Sequence, residues 1–118
     1  EQLKKTIFEN QIIYNRAKHV IKENERVIHA KKLLKENNIE NFGKLMNESH
    51  HSYSKDFEAS TNDVDLITDK SLECGALGSR LTGGGFGGFT VSLINKNNYN
   101  DWYKKMLKYY DKKKFFEV

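Results

Sequence analysis

Proline is absent from these 118 residues, cysteine occurs once, and no apolar run approaches the length of a membrane span. A bilayer-crossing helix needs about 20 apolar residues in succession, so a transmembrane helix is excluded. A lone thiol, Cys74, cannot close an internal disulfide, which fits a cytoplasmic setting. It precedes Gly75 with no basic neighbour in sequence, so it reads as a packed thiol and not a nucleophile. Residues 1–10 are mostly polar, so no secretory leader is expected. A chain that opens on Glu1 and not on Met is expected of a piece of a longer polypeptide. The lack of proline, beside abundant Asn and Lys, carries no functional signal, and nothing repeats internally.

Excess charge is also scarce: 20 Lys and Arg stand against 16 Asp and Glu, a net charge of +4. Much of the surplus lies at Lys104, Lys105, Lys108, Lys112, Lys113 and Lys114. No nucleic-acid motif accompanies them, so they read as a solvated helix face, and neither nucleic acid nor membrane is expected as a partner. The length fits one domain, 1–118, with a small core.

Three helices are expected in the first two-thirds. Over 12–36, Ile13, Ala17, Val20, Ile21, Val27, Ile28 and Leu34 recur at three- and four-residue spacing, one apolar stripe with a charged back. Residues 3–8 are expected to form a separate short helix. Residues 39–54 follow, with Asn38 as N-cap and Gly43 costing some helix propensity. Residues 54–60 read as a loop. Residues 62–73 form the third helix, capped by Thr61, with Asp63 and Asp65 suiting its positive end.

After Gly75 the pattern turns to strands at 76–82 and 89–95, then an amphipathic helix near 98–112, then a closing strand at 115–118. Helices on one face of a small, mostly antiparallel sheet make an α+β domain.

Between the two strands stand Gly83, Gly84, Gly85, Phe86, Gly87 and Gly88. Glycine tolerates positive φ and lets backbone approach a ligand, and consecutive amides can cup an anion. The residues alone allow two readings, a phosphate-proximal loop or a glycine-rich hairpin that lets another segment pack close. Gly83, Gly85 and Gly88 match G-x-G-x-x-G, but a dinucleotide loop opens a helix and here a β-rich segment follows. A P-loop needs Lys-Ser/Thr after its glycines, and Phe89-Thr90 stands there. The lysine, H-R-D and D-F-G elements of a protein kinase are missing.

Residues 75–94, G-A-L-G-S-R-L-T-G-G-G-F-G-G-F-T-V-S-L-I, resemble the C-terminal glycine-rich motif of galactokinases, G-S/A-R-M-T-G-G-G-F-G-G-C-T-V. Those enzymes sit in the GHMP superfamily with homoserine, mevalonate and phosphomevalonate kinases. Residues 16–27 resemble the family's R-A-x-H-V-x-x-E-N-x-R segment, 42–50 its F-G-x-L-M-x-x-S-H, and 56–60 its D-Y/F-E-V-S. The likeness covers roughly 11–95. It departs at Leu81 for Met, at Phe89 for Cys, and at Asn62-Asp63-Val64-Asp65 for P-E-L-D, where a helix-initiating proline is lost.

The resemblance implies a ferredoxin-like GHMP kinase C-terminal domain, with the ATP- and sugar-binding N-terminal domain outside this sequence. It implies that the complete protein is an ATP- and Mg²⁺-dependent galactokinase forming galactose 1-phosphate. The glycine segment would line the phosphate side of the cleft, supported by Arg80 and Thr82. The catalytic Asp and Arg would belong to the N-terminal domain, so this chain alone is expected to be inactive. Rival readings are an N-acetylgalactosamine or arabinose kinase, a sugar-sensing regulator of the same fold, and a stand-alone protein-binding module.

Other residues read as structural. His50 and His51 are adjacent on a helix, about 100° apart, so they do not share an ion, and no metal site is expected. His19 and His29 read as packing or surface residues. Arg80 pairs either with phosphate or with a helix carboxylate. The aromatic stripe of the last helix reads as core.

Overall fold

The computed structural model describes residues 2–83 and 88–118. The order is α1 (Gln2–Lys35), α2 (Ile39–Lys55), α3 (Asn62–Glu73), β1 (Gly78–Thr82), β2 (Phe89–Leu93) and α4 (Tyr99–Met106), with 3-10 turns at Lys96–Asn98 and Lys112–Lys114.

α1 runs 34 residues because neither glycine nor proline interrupts it, so the separate helix expected at 3–8 is its first turns. It stops at Asn37, in the left-handed region at φ 56°. There Asn38 N–H reaches Leu33 C=O at 2.9 Å and Asn37 N–H reaches Leu34 C=O at 3.1 Å, the paired bonds of a Schellman cap. Asn38 then caps α2 through Asn41 N–H, and Thr61 caps α3 through Val64 N–H, both as expected. Gly75, at φ 116°, closes α3 with the same paired bonds, Ala76 N–H to Ser71 C=O and Gly75 N–H to Leu72 C=O.

β1 and β2 pair antiparallel, Gly78 opposite Leu93 and Thr82 opposite Phe89. α2 and α3 pack on this ribbon and α1 packs on α2, so the α+β expectation holds. Trp102 and Met106 of α4 close a core with Cys74, which is buried as a packed thiol. Trp102 Nε1 donates to Ser71 C=O at 3.2 Å, and Ser71, Ser92 and Ser79 run on as a hydroxyl chain with steps of 2.8 and 2.9 Å.

Two expectations at the C-terminus fail. α4 is shorter than 98–112, ending in turns after Met106. No strand forms at 115–118. Phe115 instead sets its ring on Tyr103 and Trp102, with centroids 5.4 and 6.0 Å away. A strand needs a partner edge, and none is beside it among the described residues.

The largest surprise is the orientation of α1. Its apolar stripe does not face α2: Ile13, Val20, Ile21, Val27, Ile28 and Leu34 are all at least half exposed. The side laid on α2 carries His19, Glu23, Arg26 and Leu33, with His19 and Leu33 buried. The seam is therefore made of hydrogen bonds. Ser49 Oγ reaches both Glu23 oxygens at 2.9 and 2.8 Å, and His19 Nδ1 lies 2.7 Å from Ser52 Oγ. Ser52 in turn donates to Asp56 Oδ2 at 3.2 Å, so the imidazole is the donor of that pair.

Candidate functional site

Of the glycine segment, Gly84, Gly85, Phe86 and Gly87 lie outside the described residues. Its two ends are on the surface: Thr82, Gly83, Gly88 and Phe89 are exposed. Gly83 takes φ +80°, which L side chains rarely adopt, and among the described residues nothing lies within 4 Å of where a Cβ would stand. The entry to the segment is thus both glycine-dependent and open.

β1, the strand that leads into it, is fixed by α2 along the edge that β2 leaves free. Gly43 of α2 meets Leu77 and Gly78 backbone to backbone. A Cβ on Gly43 would stand 2.5 Å from Leu77 O, and one on Gly78 would stand 2.5 Å from Gly43 O. One turn on, Asn47 acts as a surrogate strand. Its Oδ1 accepts from Ser79 N–H at 2.9 Å and its Nδ2 donates to Leu77 C=O at 3.3 Å. His50 takes the next free amide, Leu81 N–H, on Nδ1 at 3.1 Å. Three α2 residues therefore satisfy or approach the open edge of β1, two residues short of Gly83.

His50 is itself locked. With Nδ1 accepting, Nε2 carries the proton and donates to Asp65 Oδ1 at 2.8 Å. Ser60 donates to the same oxygen at 2.8 Å, and Ser54 donates to Oδ2 at 2.9 Å. Burial pushes the Asp65 carboxyl up, but the hydrogen bonds from Ser60, Ser54 and His50 outweigh it and hold Asp65 below its usual 3.8. This aspartate–histidine pair looks like general-base machinery, yet both imidazole nitrogens are spent within the fold. It ties α2, α3 and β1 together and has no nitrogen left to move a substrate proton.

Arg80 does not reach the helix carboxylate that sequence allowed. Its guanidinium lies over the Tyr53 ring, 5.4 Å from the centroid, and its Nε donates to Leu81 C=O at 2.9 Å. Thr82 ends β1 opposite Phe89. On the α1–α2 seam, burial pushes the His19 imidazole below its usual 6.5. Glu23 opposes that shift and Arg26 adds to it. Among the described residues, no group of three or more His, Cys, Asp or Glu could hold a metal ion, and no helix is long and apolar enough to cross a membrane.

The clamp formed by Asn47, His50 and Asp65 is not read from sequence, where His50 counts as a packing or capping residue and Asp65 as a charge at the start of α3. The signal was present, since Gly43, Asn47 and His50 stand at i, i+4 and i+7, one stripe of a helix.

Comparison with known proteins converges on one family. The family model described as GHMP kinases C terminal matches residues 30–112. A galactokinase of Clostridium perfringens (strain SM101) is 44% identical over 92 residues, 77% of this chain and 24% of that protein. A galactokinase of Streptococcus thermophilus is 40% identical over 104 residues, 87% of this chain and 26% of that protein. The chain thus spans about a quarter of the length of these curated relatives. Among solved structures, Lactococcus lactis galactokinase complexed with galactose aligns at TM-score 0.75 and 33% identity, over 80% of this chain and 25% of that one. L. major mevalonate kinase in complex with R-mevalonate aligns at TM-score 0.70 over 90% of this chain and 35% of that one. At 22% identity that match speaks for the fold alone.

Proposed function

The chain belongs to the GHMP kinase family, where it matches the C-terminal domain, and on that premise we propose that it is the C-terminal domain of a galactokinase-type sugar kinase. The complete protein transfers the terminal phosphoryl group of ATP to galactose, giving galactose 1-phosphate. Its own N-terminal domain supplies the ATP and sugar contacts and the catalytic Asp and Arg.

The role of this chain is to present residues 83–88 to the phosphates. The observation that carries this reading is a strand held on one edge by α2 that ends in an open, left-handed glycine. Backbone amides held in place beside an anion stabilise charge without reorganising as the reaction proceeds. Among the described residues nothing crowds Gly83, which suits a phosphate approaching the backbone. In this reading the Thr82 hydroxyl, on an exposed residue, joins the same contacts, and Arg80 braces the strand through Tyr53. Mg²⁺, when bound with ATP, would neutralise charge on the transferring phosphates, and among the described residues no group of three or more His, Cys, Asp or Glu could hold it.

The test is a phosphoryl-transfer assay on the complete polypeptide with galactose, N-acetylgalactosamine and arabinose, alongside residues 1–118 alone. Galactose 1-phosphate from the complete protein and none from the isolated chain is the expected outcome. Turnover by residues 1–118, or a complete protein that phosphorylates a different sugar and leaves galactose untouched, overturns it.

A further inference from the structure

Among the described residues, the outward side of α1 is a large surface feature that the core does not use. Two apolar rows run along it at seven-residue spacing: Ile13, Val20, Val27 and Leu34, and beside them Tyr14, Ile21 and Ile28. Each of these seven side chains is at least half exposed, Ile28 at 71%. A spacing of seven keeps a row on one side of a helix over many turns. Neighbouring rows lie about 100° apart, so this face is broad, wider than the seam a single helix covers. Exposed apolar patches on soluble monomers rarely exceed a few hundred Å², and larger ones mark contact surfaces.

We propose that this face is the seat of the polypeptide that precedes the domain, the N-terminal part of the kinase. The inference rests on the reading above that the chain is one part of such an enzyme. Two observations choose this occupant. The family's C-terminal model begins at residue 30, so all of these residues except Leu34 lie on the part of α1 upstream of it. The relatives are about four times as long as the part of them that this chain matches, so most of their length is available to cover it. A second copy of the chain fits poorly. α1 carries nine Lys and Arg against three Glu, and self-pairing would set like charges side by side. α1 is then a shared beam. Its polar side is built into the C-terminal domain through His19 and Glu23, and its apolar side belongs to the interface.

Thiol labelling tests this. Ile21→Cys and Ile28→Cys are made singly in the complete polypeptide and in residues 1–118, with His29→Cys on the exposed polar flank as the open reference. Buried Cys74 reports that each protein is folded. In the complete polypeptide, maleimide is expected to modify positions 21 and 28 at least about tenfold more slowly than position 29. In residues 1–118 the three sites react at similar rates while Cys74 stays protected. Equal rates at all three sites in the folded complete polypeptide overturn the proposal, as does a stable dimer of residues 1–118 that protects positions 21 and 28. The kinase reading fails separately. A complete protein that shields these positions yet phosphorylates no sugar keeps the interface and loses the activity.

Discussion

α2 is packed on both sides, and its two seams are built on opposite principles. Against β1 it brings bare backbone, Gly43 on Leu77 and Gly78, followed by Asn47 and His50 on the strand's free amides. Against α1 it brings hydroxyls and a carboxylate, Ser49, Ser52 and Asp56, to meet Glu23 and His19 and to face Lys18 at 3.9 Å. The first seam fixes a distance, because two backbones in contact have no rotamers with which to adjust. The second fixes a pattern of charge, and long side chains can shift within it. The first holds the strand that runs into Gly83. The second supports a helix whose other side faces outward.

The sharpest way to break the comparison is Gly43→Ala. On an ordinary helix this change stabilises by about 1 kcal/mol, since alanine is the better helix former. Here the new methyl would stand 2.5 Å from Leu77 O, and a backbone carbonyl cannot swing away as a side-chain tip can. Forced overpacking costs about 1–3 kcal/mol and sometimes more, so the net effect is expected to be a clear loss. Urea denaturation of the variant decides the sign. A raised midpoint would mean that α2 and β1 do not touch here.

Acid separates the seams next. His19 sits below its usual 6.5 when folded, so the unfolded chain takes up that proton first. Stability from the α1–α2 seam is therefore complete above pH 6.5 and declines as pH falls below it toward the folded value. Asp65 is likewise lowered, from 3.8, so its contribution holds until pH falls below 3.8 and is lost from there toward its folded value. Two descending steps are expected in denaturation midpoints measured from neutral to strongly acid pH. His19→Gln should flatten the upper step and leave the lower, and Asp65→Asn should do the reverse. If His19→Gln leaves the upper step unchanged, another group governs it.

The α2–β1 seam was partly legible in the sequence and the α1 seam was not, for a physical reason. Caps are local events, so Asn38 and Thr61 marked their helices correctly, and the bounds expected for the third helix, 62–73, match α3. β-forming residues on either side of a glycine run placed both strands, each running two residues short of expectation. Gly43 read only as a weak point of its helix, because the strand it touches lies 34 residues on in sequence. His50 read as packing, because its partners Asp65 and Leu81 come from two other elements. Phe115 has the composition of a strand residue but no edge to join, and it became part of the aromatic core. The glycine segment announced itself most plainly by motif. Of its residues only Gly83 and Gly88 fall within the described structure.

α1 sets the smallest effect and the firmest limit on reading a helix by its pattern. Periodicity reports that a helix has an apolar side, and it carries no information on whether the covering surface belongs to the same chain. In residues 1–118 the stripe covers nothing, so Ile28→Gln is expected to change stability by no more than about 0.5 kcal/mol. Leu33→Ala, on the side pressed to α2 and only 4% exposed, should cost about 2–5 kcal/mol. The ratio between the two, measured by denaturation of the same chain, gauges how far the inward and outward sides of α1 differ. A loss at Ile28 comparable with that at Leu33 would mean that the stripe is covered within this chain after all, leaving no free face for another part of the kinase to occupy.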